Sequence, residues 1–364
     1  MRFGKDESRG PFPFVGPAIR FSCAPFGFLI TSGAMSGTIG RARALAAAWG
    51  RRPSRARAAA LRKFYSARAR ELPLAVRGEL CLALGEAEEL EGRFEAARHL
   101  YALAVGAADP VRDEPFYTRA AARALLNASR LRDLAALSGV ARVVETLGRG
   151  EETPRLLGLG AMARGLERLL EGDWTAARRA FEAAMGAAWE SGDADAETLA
   201  HHLLAQAWVR LGRLARAREH VEAAQRAAAR SGSWLLSRRK ALEAVALNLR
   251  AGPTAAALAE ARRVEAVLRR TGFPRLESLA WHKIVRGMGP GRPQVEPLLA
   301  RSEGLLPEGH PDRAFLAALR ETPRLRRVIP RRDRAGIAAA DGEEAGADPE
   351  VARQLRALVR MARF

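Results

Sequence analysis

The chain has 364 residues, of which 48% are hydrophobic and only 6% aromatic, so its composition favours closely packed helices over a β-sandwich. Its 60 Lys and Arg residues outnumber its 41 Asp and Glu residues, and the net charge of +19 raises the question of nucleic-acid binding. Two cysteines, Cys23 and Cys81, exclude a disulfide framework and a cysteine-based zinc module.

The positive charge is concentrated in two flanks of the chain. Residues 41–70 contain ten basic residues and no acidic residue, and residues 313–334 carry a net charge of +6. Residues 71–312 come to only +2, with −7 over 71–200 and +9 over 201–312. A concentrated basic segment attracts a phosphate backbone more effectively than a diffuse excess of charge, so the flanks are where nucleic acid would bind.

Residues 1–40 differ from the rest because they are rich in Gly, Pro, Phe and Ser. This composition predicts a poorly structured leader. A secretory signal peptide is one alternative, although Pro25 interrupts its apolar region, and a start codon at Met35 is another. Elsewhere no apolar stretch is long enough to predict a transmembrane helix, and we expect a cytoplasmic protein.

Residues 41–70 are predicted to be a basic helical segment and a possible degenerate first repeat. Trp49, Phe64 and Tyr65 lie at helix-core spacing and are not interleaved with the basic residues for base stacking. This favours a capping repeat with a solvated basic face, and a nucleic-acid contact is the alternative. The basic patch consists of Arg51, Arg52, Arg55, Arg57, Arg62 and Lys63.

From residue 71 onwards the chain predicts paired helices with a period of 40 residues. Gly92, Gly172, Gly212 and Gly252 each precede a helix start, and their spacings are multiples of 40. The missing member falls at position 132, where Arg132 replaces the glycine in an otherwise similar helix start. The array is predicted to span residues 71–320, including its closing helices.

Small and bulky residues recur at fixed distances from these turn positions. A small residue precedes the turn by seven positions (Gly85, Gly165 and Ala205), and another follows it by five (Ala97, Ala177, Ala217 and Ala257). A bulkier residue follows the turn by nine positions (Tyr101, Phe181 and Val221). The small residues allow the first helix of each pair to lie close against the second.

These offsets resemble those of the tetratricopeptide repeat over roughly residues 72–290. The period departs from the family's usual value of about 34, and it is similar to the extended arrays of large bacterial signalling and transcriptional regulators. HEAT repeats have a similar period but lack the Gly-x-aromatic-x-x-Ala signature. The resemblance implies an all-α fold, a right-handed α-solenoid of antiparallel helix pairs whose first helices line the concave face.

The remaining segments are less regular. A closing segment follows Pro290, residues 321–348 predict a charged linker, and residues 349–364 predict a short C-terminal helix. No catalytic constellation is present, since the Gly-rich run 33–40 lacks the Lys of a phosphate-binding loop. The adjacent pair His201-His202 is poorly placed to chelate one ion, so we expect no metal, no cofactor and no enzymatic activity.

Polar residues near the ends of the first helices are the candidate partner-binding residues. Arg130, Arg210 and Arg250 recur at multiples of 40, each two residues before a turn position, so they form a predicted ladder that could hold carboxylates. Solvated edge residues are the alternative interpretation, because Leu90 and Leu170 interrupt the ladder. Further polar candidates on the same helices are His202, Gln206 and Asn127.

The sequence therefore predicts a non-catalytic scaffold or sensor that binds a protein or peptide on the concave face of a tetratricopeptide-like solenoid, in bacterial signalling or regulation. The alternative is a regulator that contacts nucleic acid through residues 41–70.

Overall fold

The structure, a computed structural model, describes residues 32–150, 153–251, 254–288 and 295–306, with single positions at 308, 313, 316, 350 and 353. These residues form α-helices and contain no strand. The helices are α1 (Ser32–Arg51), α2 (Arg55–Arg68), α3 (Leu74–Leu90), α4 (Phe94–Gly106), α5 (Glu114–Leu131), α6 (Leu134–Gly150), α7 (Pro154–Glu171), α8 (Trp174–Glu190), α9 (Ala194–Arg210), α10 (Leu214–Ser231), α11 (Trp234–Ala251), α12 (Ala255–Arg269), α13 (Pro274–Met288) and α14 (Glu296–Gly304).

Two predicted boundaries fall at the edges of this description. Helix α1 begins at Ser32, inside the segment 1–40 for which we expected a leader, and residues 1–31 lie outside the described residues. The predicted linker 321–348 lies outside them too, as does all of the predicted helix 349–364 except two single positions.

Short polar side chains begin several of the helices. Ser54, Asp173, Asp193 and Thr254 each accept a hydrogen bond from a backbone N–H in the first turn of the helix that follows. The first backbone N–H groups of a helix have no acceptor within the helix. A side chain that accepts from one of them typically contributes about 1 kcal/mol to the stability of the protein.

The turn between the two helices of a repeat has a left-handed residue at the predicted position. Gly92, Gly172 and Gly212 have φ values of 82°, 87° and 74°, and Gly252, the other glycine of the predicted series, lies outside the described residues. Arg132, which replaces glycine in the series, has a φ of 57° and is the one non-glycine residue with a positive φ in the described part of the chain. The turn at position 132 therefore has the same left-handed conformation as the glycine turns, although this conformation is unfavourable for Arg132.

Within a pair, the two helices pack through the residues that the spacing identified. A Cβ atom added at Gly85 would lie 2.6 Å from the Tyr101 ring, and one at Gly165 would overlap the Phe181 ring. The third pair combines the larger Ala205 with the smaller Val221, both buried. The size of the first-helix residue is thus matched to the size of its partner.

Successive pairs stack into a curved all-α solenoid, which confirms the predicted fold class. Several first helices contact each other directly, as α5 contacts α7 and α11 contacts α13. Successive second helices make weaker contacts or none among the described residues. The first helices α3, α5, α7, α9, α11 and α13 therefore occupy the inner, concave side of the curve.

The two ends of the array meet. One hydrophobic core contains buried residues of α1, α2 and α3 together with residues of α11 to α14. The Trp49 ring stacks edge-on against Phe273 with 6.0 Å between centroids, and the backbone N–H of Arg55 donates to the carbonyl of Thr271 at 3.1 Å. The basic segment 41–70 is thus packed between the first and last repeats.

Candidate functional site

A cavity of about 330 Å³ lies on the concave side, among the first turns of α5, α7 and α9 and the start of α11. The ends of α8 and α10 complete its wall. Its side chains come from four successive repeats, so no single repeat could form it. The lining residues include Pro115, Thr118, Arg119, Ala122, Arg123, Arg155, Gly158, Leu159, Met162, Ala188, Asp193, Asp195, Ala196, Leu199, Ser231 and Leu236.

The apolar part of the cavity stays open because small residues surround it. Gly158 packs so tightly that an added Cβ would lie 2.9 Å from the Cβ of Ala187. Ala122 and Ala188 present only methyl groups to the space. The larger side chains of Leu159, Met162 and Leu236 form the apolar wall and are nearly buried. A cavity of this size and lining can hold one or two residues of a ligand.

Two of the cavity's arginines already have acidic partners. The Arg123 Nε atom lies 3.0 Å from Glu86, and Arg123 is only 7% exposed. Arg155 lies 3.4 Å from Glu114 through Nη1 and 3.5 Å from Asp193 through Nε. These ion pairs fix the side chains that separate the cavity from the neighbouring helices.

Of the two carboxylates that line the cavity, Asp193 and Asp195, it is Asp195 whose negative charge is compensated less well. Burial raises the pKa of the Asp195 carboxyl, and Arg123, the Ser231 hydroxyl and Arg119 oppose this only in part. Its Oδ1 atom is shielded from solvent and accepts no hydrogen bond. A carboxylate removed from water without a full set of donors is an attractive site for a ligand cation.

A second set of charges closes the array. Glu89 of α3 is 4% exposed and is paired with Arg130 of α5 and with Arg239 of α11, whose Nη2 lies 3.1 Å away. Tyr101 donates to the Glu89 carboxylate at 3.0 Å, and Arg275 of α13 donates to the Glu89 carbonyl at 2.9 Å. Burial alone would raise the pKa of Glu89, but the guanidinium groups outweigh it and hold the pKa well below its usual range.

A third set lies on α9, α11 and α13. Glu243 is 2.7 Å from Nδ1 of His202 and 3.3 Å from Nζ of Lys240, and Lys283 also stabilises its charge. Burial lowers the pKa of His202 to about 4 and that of Lys240 to about 8, although Glu243 opposes both shifts. His202 is therefore neutral near neutral pH, and Gln206 lies 2.8 Å from its Nε2 atom.

The predicted arginine ladder is divided among different environments. Arg130 is paired with Glu89 at the closure, whereas the Arg210 guanidinium lies 5.2 Å from the centroid of the Trp174 ring. Arg250 is exposed, and together with Arg210 it lowers the pKa of Arg286, for which burial is the largest cause. Arg130 thus belongs to the Glu89 group, whereas Arg210 and Arg250 both act on Arg286, and none of the three lines the cavity.

The other predicted residues are also away from the cavity. Asn127 is fully buried and donates to the carbonyl of Phe94 at 2.9 Å, so it joins α5 to α4 and presents no surface to a partner. His202 and Gln206 belong to the Glu243 group on the same concave side.

The basic patch is partly engaged within the protein. Arg62 lies 2.7 Å from Glu88 and 2.9 Å from Glu91, and Arg57 donates to the carbonyl of Arg52. The side chains of Arg51, Arg52, Arg55 and Lys63 are exposed.

Sequence reasoning missed the cavity residues because it considered the ends of the first helices, whereas the cavity lies at their starts. The signal was nevertheless present in the period. Three cavity-lining residues, Pro115, Arg155 and Asp195, are spaced by 40 residues, as are Arg119, Leu159 and Leu199. Equivalent positions of successive first helices face the same groove, so the register identifies the row of residues that surrounds the cavity.

In the described part of the chain, no group of three or more His, Cys, Asp or Glu side chains could hold a metal ion. Among the same residues no helix is long and apolar enough to cross a membrane.

Comparison with known proteins supports the fold. No protein-family model matches the chain, and no curated protein matches it. The fold is similar to that in the crystal structure of a Rap protein complexed with competence and sporulation factor, with a TM-score of 0.55 and 12% sequence identity. The similarity covers 83% of this chain and 89% of that chain. The chain thus has a tetratricopeptide-like helical repeat fold.

Proposed function

We propose that this chain is a non-catalytic interaction module that binds a short extended segment of a protein partner in the concave cavity. The observation that carries this proposal is the cavity itself, to which the first helices of successive repeats contribute. Such solenoids bind extended segments through side chains from several repeats on their concave surface. Bacterial signalling is the setting that we propose, by resemblance to the extended arrays of regulators.

Two further observations support the proposal. The similar Rap protein is itself complexed with a factor, so this helical architecture can serve binding. The described lining of the cavity combines apolar walls with Arg and Asp side chains and includes no His, Cys or Lys. Its mixture of apolar walls and fixed charges suits recognition of a side chain and its backbone.

The test is a selection of short linear peptides from a random library against the full chain, followed by affinity measurement with synthetic peptides. Ala196 lines the cavity at the start of α9 and is half-buried. We expect Ala196→Trp to fill the cavity and to weaken binding of the selected peptides on the order of tenfold or more.

The matched control is Ala176→Trp. Ala176 occupies the same place in α8 that Ala196 occupies in α9, because the backbone N–H of each donates at 2.9 Å to a capping aspartate three residues earlier. Ala176 is half-buried and does not line the cavity. If no peptide is enriched, or if Ala196→Trp binds peptides as well as Ala176→Trp, the proposed function is wrong.

A further inference from the structure

We propose that the cavity recognises a lysine side chain of the bound segment, and that the Asp195 carboxylate receives its ammonium group. This inference rests on the proposed function, and it names the chemical class of ligand that the cavity takes.

The cavity and its immediate partners carry more negative than positive charge. Arg123 is neutralised by Glu86, and Arg155 is shared between Glu114 and Asp193. The Arg119 guanidinium is exposed and lies 5.7 Å from the centroid of the Phe116 ring. Three guanidinium groups therefore face four carboxylates, and one added cation balances the group; the carboxylates are Glu86, Glu114, Asp193 and Asp195.

Asp195 is the carboxylate that remains after these pairings. It lines the cavity as the second residue of α9, and one of its oxygen atoms has no hydrogen-bond donor. The Ser231 hydroxyl interacts with the same carboxylate. The torsion about the Cβ–Cγ bond of aspartate is soft, so a small rotation can turn the spare oxygen toward the cavity.

One spare acceptor suits lysine better than arginine. An ammonium group is a compact donor that a single oxygen can receive, whereas a guanidinium fork is best matched by both oxygens of a carboxylate. Of the two Asp195 oxygens, Oδ1 is the one that is shielded from solvent and lacks a hydrogen-bond donor. Lysine also carries a four-carbon apolar stem, and Leu159, Met162 and Leu236 supply an apolar wall along which such a stem can lie. A free peptide N-terminus has no such stem.

Proton linkage agrees with this assignment. Burial raises the pKa of Asp195, which means that the ionised carboxylate is disfavoured while no ligand is bound. A bound ammonium group favours the ionised form and lowers that pKa again. Lysine binding is therefore expected to strengthen as pH rises through the pKa of Asp195 and to be constant above it.

The experiment uses the peptides selected against the full chain. We expect lysine to be enriched at one peptide position. Replacing that lysine by Met or by Arg should weaken binding to the wild-type protein on the order of tenfold, because a charge-assisted hydrogen bond is lost or badly matched. Acetylation of the peptide N-terminus should leave the affinity unchanged, which separates a lysine side chain from a terminal amine.

The protein variant is Asp195→Asn, with Asp173→Asn as its matched control. Asp173 caps α8, and its side chain, like that of asparagine, can accept from the first turn, but Asp173 does not line the cavity. We expect the difference between the lysine peptide and its Met analogue to vanish in Asp195→Asn and to persist in Asp173→Asn.

The outcomes separate the two proposals. Peptides that bind in a manner sensitive to Ala196→Trp but show no lysine preference overturn the lysine assignment and leave the proposed function standing. A lysine preference that survives in Asp195→Asn also overturns the role of Asp195. Selection of no peptide overturns both. The peptide-side replacements read out the wild-type protein, so the lysine assignment is tested even if Asp195→Asn fails to fold.

Discussion

The closure of the array and the concave cavity use the same kinds of residues with opposite results. At the closure, Glu89 is buried against Arg130 and Arg239, and Tyr101 donates to its carboxylate as well. In the cavity, Asp195 is half-buried, and its Oδ1 atom is shielded from solvent yet has no hydrogen-bond donor. Both carboxylates belong to first helices on the concave side.

The difference shows that burial of a charge does not by itself indicate a binding site. A carboxylate surrounded by guanidinium groups is part of the fold, because removing it would leave several cations together in a confined space. A carboxylate with spare acceptor capacity beside a cavity is a feature that a ligand can complete. The ion pairs and hydrogen bonds that Glu89 makes, and the missing donor at Asp195, therefore distinguish a structural carboxylate from one that a ligand can complete.

The largest expected effect is on the closure. Glu89→Ala should lower the free energy of unfolding by about 3–5 kcal/mol, because it leaves Arg130 and Arg239 unpaired between the first and last repeats. Urea unfolding measures this change. Glu95→Ala is the control, since Glu95 pairs with Arg98 on the exposed surface of α4 and should cost less than about 1 kcal/mol. Equal effects for the two variants would mean that Glu89 contributes no more to stability than a surface ion pair does.

The contacts of Glu243 with His202 and Lys240 are expected to have an intermediate effect on stability, which can be measured through its pH dependence. Burial lowers the pKa of His202 to about 4 from the ordinary value of 6.5, so the unfolded chain binds a proton more readily than the folded chain. The free energy of unfolding is therefore highest above about pH 6.5. It decreases as pH falls toward 4, by on the order of 1–3 kcal/mol, because protonation of His202 favours the unfolded chain.

The variant His202→Gln should reduce that pH dependence, which chemical unfolding at a series of pH values would show. His201 has a pKa lowered to about 4, first by burial and then by His220, so part of the dependence should remain. A pH dependence identical to that of the wild type would mean that Glu243 keeps His202 protonated in the folded protein.

A smaller effect tests the local backbone without touching either set of charges. Arg132 has a φ of 57°, a conformation that favours glycine, and lies in the turn between α5 and α6. Arg132→Gly should raise the free energy of unfolding by up to about 1 kcal/mol, because the strain of a side chain in the left-handed region is removed. Differential scanning calorimetry would detect the rise in Tm. A decrease instead would show that the Arg132 side chain contributes more than its backbone conformation costs.

The smallest expected effect is the sharpest contrast with Glu89. Asp195→Asn should change the free energy of unfolding by less than about 1 kcal/mol, since a poorly solvated charge is replaced by a neutral amide of similar shape. Side-by-side unfolding of the Asp195 and Glu89 variants measures the difference. If Asp195→Asn lowered the free energy of unfolding as much as Glu89→Ala does, Asp195 would be a structural charge like Glu89.

The sequence predicted the repeat and its local packing well. The turn positions, including Arg132, and the contact of Gly85 with Tyr101 follow from a single repeat unit, and the structure confirms both. The site was predicted less well, because the candidate residues were chosen at the ends of the first helices. Arg130 and Asn127 have partners within the fold, which one repeat read in isolation does not reveal.

The sequence by itself thus determined the all-α repeat, because turn conformation and the fit of neighbouring helices depend on residues within about one period of each other. The tertiary structure alone decided that the two ends meet, that Glu89 binds arginines 41 to 186 residues away and that one oxygen of Asp195 lacks a hydrogen-bond donor. The physical reason is curvature. Small rotations between successive repeats accumulate along the array, and their sum sets which distant charges become neighbours and where a cavity remains.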